Sequence, residues 1–457
     1  MNLLVKDKRF YKKMAVIAIP ISLQSMITIG VNMTDTVMVG KLGETSLSAT
    51  ALANQFVNIY QICCMGIAMG ASVLTSRFWG MQDITSLKKT ITLMLRLCIV
   101  LAVLFMLPTI LIPQLLMRMY TNDSAVIAQG VQYFKWMVYC YFLQGMTMTC
   151  TIVLRSVGQV NFPLFTSIGS FFVNILFNYM FIFGRLGVPR MEVEGAGVGT
   201  LIARVFEFSL ICGYFLFVDR KIGYRLKDLR MKCNSLIKDY VSISIPVFVS
   251  DSLLALGTSA VAMVMGRIGT GFVSANSITV VTQQLTTVII QGICHASCIM
   301  TGHTLGQGER EKAQQQAWTF LILGLVVGIL GGGLIKVLSR PIIGLYNITP
   351  ETAQIAGELM DAIAFIVIFH SMNSILTKGV LRGGGDTKFL MVADIIFLWA
   401  ASLPLGILAG LVWHLDAFWI YVFLKIDQIC KSIWCVFRLR SGKWIKTFSK
   451  EKMNHAQ

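Results

Sequence analysis

The sequence predicts an all-α polytopic membrane protein, with twelve transmembrane helices arranged as two parallel six-helix repeats. Three observations carry this: a hydrophobic, charge-poor composition, twelve apolar stretches of spanning length, and an internal repeat at an offset of 226 residues. Of the 457 residues, 55% are hydrophobic and only 13% are charged. A soluble domain carries about 25% charge, so half the usual polar surface is missing, as expected where the outer surface is lipid.

A helix needs roughly 20 apolar residues to cross the hydrocarbon core. Such stretches fall at 14–35, 51–72, 91–113, 131–153, 162–183 and 195–218, and then at 240–261, 272–300, 317–338, 355–377, 389–411 and 417–437. A transmembrane β-barrel is excluded, because its strands would alternate apolar and polar residues over about 10 positions. Lys6, Lys8, Arg9, Lys12 and Lys13 precede the first stretch, and no small-residue cleavage site ends it. It therefore reads as a retained helix with a cytoplasmic N-terminus.

The net charge of +17 is concentrated in the segments that this orientation places inside. The linker between the halves alone holds Arg220, Lys221, Arg225, Lys227, Arg230, Lys232 and Lys238. That distribution follows the positive-inside rule and points to contact with anionic lipid head groups, not to nucleic acid. The eleven cysteines sit almost entirely within spans without metal-like spacing and read as small packing residues.

Pairing residues 226 apart aligns Ile17 with Ile243, Pro20 with Pro246, Gly40 with Gly266, Gly43 with Gly269, Gly66 with Gly292, Gly80 with Gly306 and Tyr120 with Tyr346. One residue is gained later, so Arg155 and Gly158 lie against Arg382 and Gly385. The halves are 1–225 (N-lobe) and 226–457 (C-lobe). Each crosses an even number of times, which makes them parallel repeats, and substrates of such folds are expected between the halves. Pro20 and Pro246 each remove a backbone hydrogen bond and are expected to kink the first helix of each half, which makes them the candidate hinges; a static bend is the alternative.

Asp35, in VNMTDTVMVG near the outer end of the first span, is the leading candidate site residue. A carboxylate at the bilayer centre costs about 2.5–3.5 kcal/mol on insertion scales, so it persists where it has a task or a partner. It can load and release a proton, or hold Na+ when ionised, which makes Asp35 the one metal-ion site the sequence offers. A plain interfacial aspartate is the alternative. Its repeat counterpart is Val261, so the scaffold does not demand an acid. Asn174 and Asn178 stand one helical turn apart and share a face that can turn toward Asp35. Helix-packing glue is their bland reading. In the second half, Asp251 and Asp394 can neutralise a cationic substrate or carry a second coupling ion. Arg204/Glu207 and Asp427/Lys431, spaced i,i+3 and i,i+4, are expected to pair locally. No phosphate-binding GxxxxGK[ST] and no HExxH occurs, so neither ATP hydrolysis nor zinc chemistry is indicated and no enzyme is expected.

Over residues 10 to 445 the chain resembles the multidrug and toxic compound extrusion (MATE) family. The resemblance rests on Pro20, Gln24 and DTVMVGKLG (35–43), with LRSVGQ (154–159), NILFNYMFIFG (174–184), GAGVGT (195–200) and LRGGGDTK (381–388) in support. It implies a twelve-helix fold of two lobes and an antiporter that exports organic cations and drugs against H+ or Na+. By position, Asp35 matches the family's first-helix coupling aspartate, and Asn174 and Thr200 match its polar partners. Gln24 joins Asp251 and Asp394 as a substrate-binding candidate. One branch of the family carries a second aspartate where this chain has Asn178. The other branch carries acids that fall near Leu254 and Ser371, and both are missing here.

The expectation is thus a secondary antiporter of cationic or apolar molecules, with H+ or Na+ as coupling ion and no other cofactor. H+ through Asp35 is favoured. Its expected setting is the plasma (inner) membrane, multi-pass, as a monomer with both termini cytoplasmic, in contact with lipids and small molecules only. A flippase for lipids or lipid-linked oligosaccharides is the rival.

Overall fold

The computed structural model describes residues 4–185, 187–344 and 348–447. Among them there is no strand, and eleven helices are long and apolar enough to cross a membrane. In order these are α1 (Lys8–Gly40), α2 (Glu44–Gly80), α3 (Ile84–Leu111), α4 (Ser124–Ser156), α5 (Asn161–Phe183), α6 (Glu192–Val218), α7 (Asn234–Ile268), α8 (Thr270–Gly306), α9 (Arg310–Ile343), α10 (Pro350–Leu381) and α11 (Thr387–Val412). The expected twelfth span is instead two pieces, α12 (Ala417–Leu424) and α13 (Ile426–Arg440). Lys425 breaks it: its N–H donates to the Tyr421 and Val422 carbonyls in a tightened turn. The Asp427 N–H that the break exposes is taken up by Ser402 Oγ at 2.9 Å. A broken helix survives at membrane depth only where protein supplies such partners.

The repeat is visible in the helix starts. Lys8 and Asn234, Glu44 and Thr270, Ile84 and Arg310, Ser124 and Pro350, and Asn161 and Thr387 each stand 226 residues apart. Tyr346 lies outside the described residues. Two of the paired turns need glycine. Gly158 (φ 79°) and Gly385 (φ 86°) close α4 and α10 in the left-handed region, each donating its N–H to Arg155 O or Arg382 O at 2.9 Å.

The outer faces are apolar. On α3, Leu97, Val100, Leu104, Leu107 and Leu111 are all exposed, at alternating steps of three and four residues. That stripe is one helix face, and a surface of this kind is stable against lipid.

The chain packs into two compact units: Leu23–Ser244 forms one, and the chain up to Ser22 together with that from Ile245 onward forms the other. This differs from a simple division at 225/226, for a local reason at each junction. The linker is tied to the first-half unit: Lys88 pairs with Asp228 at 2.9 Å, Arg96 Nη2 donates to Leu229 O at 2.6 Å, and Tyr240 OH donates to Ile67 O at 3.1 Å. The N-terminal segment is tied to the other unit: Val5 N–H donates to Thr319 Oγ1 at 3.0 Å, and Phe10 packs on Phe320. Pro20 lies within α1 and Pro246 within α7, each within three residues of the point where the chain passes from one unit to the other.

Close helix approaches are made by small residues, as expected where lipid offers no hydrophobic drive to association. On α9, a Cβ added at Gly328 would sit 2.7 Å from Ile368 Cα of α10, whereas one at Gly333 would meet nothing within 4 Å. Gly328→Val is therefore expected to destabilise the protein by about 1–3 kcal/mol through overpacking. Gly333→Ala should leave stability nearly unchanged. Thermal unfolding of the two detergent-purified variants checks the contrast.

Candidate functional site

α1, α2, α4, α5 and α6 together line a cavity of about 380 Å³ within the first-half unit. Asp35, Asn174 and Thr200 are on its wall. Asn178 stands directly behind: its Nδ2 donates to Asp35 Oδ1 at 2.6 Å and to Asn174 Oδ1 at 3.2 Å. Asn174 and Asn178 are both almost wholly buried, at 2% and 1% exposure, so Asp35 is held by amides that are themselves fixed by packing. The cavity therefore carries a carboxylate whose partners are neutral. The structure thus brings Asp35, Asn174, Asn178 and Thr200 together.

The glycines of GAGVGT explain how α6 reaches this position. A Cβ at Gly195 would lie 2.5 Å from the Phe181 carbonyl carbon, and one at Gly199 would lie 2.1 Å from Asn178 Oδ1. Two glycines four residues apart form the face on which α6 meets α5. Thr200 follows Gly199 and is thereby presented to the cavity. Any side chain at 199 displaces the amide that holds Asp35.

Gln24 is elsewhere. Its Nε2 donates to Ser167 Oγ at 2.8 Å, and its Oε1 accepts from Arg155 Nη2. The repeat preserves this clasp in altered chemistry. Arg382, the counterpart of Arg155, makes a two-point ion pair with Asp251, through Nη2 to Oδ1 at 2.9 Å and Nη1 to Oδ2 at 3.4 Å. Each arginine ends the fourth helix of its half and holds the first helix of that half a turn or so beyond the proline.

Asp394 is likewise engaged. Lys431 Nζ lies 3.0 Å from Asp394 Oδ1 and 3.0 Å from Asp427 Oδ2, and Ser250 Oγ donates to Asp394 Oδ2. Ser402 and Gln428 add hydrogen bonds to Asp427, and Gln428 carries the network on to Asn373 and His370. Asp251 and Asp394 thus face cations of the protein itself.

Sequence reasoning passed over several wall residues. Asn54, Asn58 and Gln61 line the cavity from α2, and Tyr133 OH donates to Asn54 Oδ1 at 3.2 Å. Their i, i+4, i+7 spacing is a polar stripe on one face of an apolar helix, a signal present in NQFVNIYQ (54–61). Arg204 and Glu207 pair at 2.9 Å as expected, yet both also line the cavity.

A duplicated, lipid-facing bundle with a polar cavity inside one unit defines a polytopic membrane transporter and not an enzyme. The MatE family model matches residues 20–180 and 246–429, and the chain belongs to the MatE family. The two matched segments begin at the paired prolines, 226 residues apart. Among curated relatives, the chain is similar to the uncharacterized transporter YisQ of Bacillus subtilis, 24% identical over 419 residues and covering 90% of each chain. It is similar also to the probable multidrug resistance protein NorM of Thermotoga maritima, 23% identical over 441 residues, covering 95% of this chain and 93% of the relative. Among solved structures, a MOP superfamily transporter from Pyrococcus furiosus shares the fold with a TM-score of 0.84 at 18% identity, covering 97% of this chain and 100% of that one.

Removing the cation from the Asp394–Lys431–Asp427 cluster leaves two buried carboxylates facing each other. Lys431→Met is expected to cost about 3–5 kcal/mol of stability. The double variant Lys431→Met/Asp394→Asn should recover part of it. Thermal unfolding of the purified variants checks both.

Proposed function

We propose that the protein is a secondary antiporter that exports cationic or apolar drugs and toxic compounds, driven by inward movement of H+, with Na+ as the alternative coupling ion. The observation that carries this is Asp35: a carboxylate on the wall of a 380 Å³ cavity, bonded by the amide of Asn178 and by no cation among the described residues. A cavity of this volume suits one small molecule. Substrate and coupling ion then exchange for one charge, by alternating access in which the lobes move about Pro20 and Pro246. The family and the multidrug-resistance names of its relatives support the cargo class.

The donors at the site are all oxygens, namely the Asp35 carboxylate, the Asn174 side-chain carbonyl and the Thr200 hydroxyl, with Asn178 Oδ1 buried and unbonded nearby. Such a set suits a hard monovalent cation, and Asp35, Asn174 and Thr200 would hold Na+; a proton needs only Asp35. No further cofactor is needed. Moving one charge through 100 mV yields about 2.3 kcal/mol, against about 1.4 kcal/mol for a tenfold gradient. One proton exchanged for a neutral molecule uses both voltage and pH, whereas exchange for a monovalent cation uses the ion gradient alone.

In this reading the chain is a monomer in the plasma (inner) membrane, with both termini cytoplasmic and Lys/Arg-rich segments against anionic lipid. Asp251, Asp394 and Gln24 remain substrate-side candidates, each presently held by a partner of its own. A flippase for anionic lipids is disfavoured, because the one guanidinium among the described wall residues, Arg204, is already neutralised by Glu207.

Efflux of a fluorescent cation from everted vesicles under imposed H+ or Na+ gradients tests the reading. Wild type is expected to respond to the H+ gradient, and Asp35→Asn is expected to lose at least 90% of that response, an effect on the order of 1.4 kcal/mol or more. Unchanged efflux in the variant removes Asp35 from the mechanism.

A further inference from the structure

Among the described residues that line the cavity three carry charge: Asp35, Arg204 and Glu207. Arg204 Nη1 lies 2.9 Å from Glu207 Oε2, one turn away on the same helix, with 31% and 13% of the two side chains exposed. Neither side chain makes a hydrogen bond or ion pair to another element among the described residues. A partly exposed i,i+3 ion pair contributes little stability, and an apolar pair of similar volume would serve packing as well. What it does contribute is charge, placed on the wall of the cavity.

The charges sum simply. Arg204 and Glu207 cancel, which leaves the cavity at −1 when Asp35 is ionised and at zero when Asp35 is protonated or holds a monovalent ion. The other described wall residues are uncharged, polar ones such as Asn54, Gln61 and Asn174 alternating with apolar ones such as Met137 and Phe171. We propose that the Arg204–Glu207 pair sets the valence of the cargo: the cavity accepts one positive charge at a time, so a monovalent organic cation is matched and a divalent one is not. This rests on Asp35 as the exchange site and adds to it the residues that determine specificity. Glu207 offsets the repulsion that Arg204 would exert on any cation, and Arg204 prevents Glu207 from recruiting a second one. In a low-dielectric cavity an unmatched unit charge several ångströms away changes occupancy by about tenfold or more.

The test compares initial rates of ethidium (one positive charge) and methyl viologen (two) in proteoliposomes under one H+ or Na+ gradient. Wild type should favour ethidium. Arg204→Gln, which takes the ionised cavity to −2, should raise the methyl viologen to ethidium ratio by about tenfold. Glu207→Gln, which takes it to zero, should lower ethidium transport by about tenfold with little change in the binding of a neutral dye. Arg204→Gln/Glu207→Gln together restore the charge of −1 and should bring the ratio back to within about twofold of wild type. Arg204→Lys keeps the charge and should keep the ratio. Ratios that stay at the wild-type value in both single variants overturn this proposal alone. So does a double variant that shifts as far as either single one. A wild type that moves neither cation under either gradient overturns the antiport reading and this proposal with it.

Discussion

Hydrocarbon cannot hydrogen-bond, and that one deficiency dictates most of the molecule. Every backbone amide within the bilayer must find its partner in its own helix, in a neighbouring side chain or in a wet cavity. The all-helical architecture follows directly, and so does the way its exceptions are handled. Where the last span breaks at Lys425, the exposed Asp427 amide meets the Ser402 hydroxyl. Where α4 and α10 end, glycines in the left-handed region turn the chain and return an N–H to the arginine three residues before.

The same deficiency sorts the charges. Asp251 has Arg382, Asp394 and Asp427 share Lys431, and Glu207 has Arg204. Breaking the buried pairs at Arg382 or Lys431 leaves a charge in low dielectric without a partner, which costs far more than the intact pair contributes. Asp35 differs from these acids in having no ion-pair partner among the described residues; the Asn178 amide meets it instead. An amide orients a carboxylate without neutralising it, and that is the property on which the proposed exchange role of Asp35 rests.

Much of this is legible in the chain. Spans are legible because lipid demands about 20 apolar residues at a time. The duplication is legible because Pro20 and Pro246, with the glycines that follow them, keep a common register. Asp35, Asn174 and Asn178 are legible as a cluster because i,i+4 spacing fixes a shared face and a buried acid needs partners. The broken last span is not, since KIDQICK (425–431) reads as a tolerable polar insertion until Ser402 is seen to satisfy it. The Gln24–Arg155 clasp is not either: its partners are 131 residues apart, and each alone is an ordinary polar residue. Asn54, Asn58 and Gln61 show the limit most clearly. Their spacing proves a polar face, but only the packing of α2 decides whether that face meets another helix or water.

The two repeats share a skeleton and have diverged in chemistry along one line. Both keep an arginine at the end of the fourth helix that grips the proline-containing first helix. In the first half its partner is the neutral Gln24, and in the second it is the charged Asp251. A neutral partner leaves no acid of α1 committed to an ion pair, so the acid of that helix, fifteen residues beyond Pro20, keeps its charge on the cavity wall without a salt bridge among the described residues. In the second half the acid itself is consumed by the clasp, and the position matching Asp35 is Val261. Both halves thus keep an arginine clasp on the first helix, and the first half places the acid of that helix on the wall of the cavity.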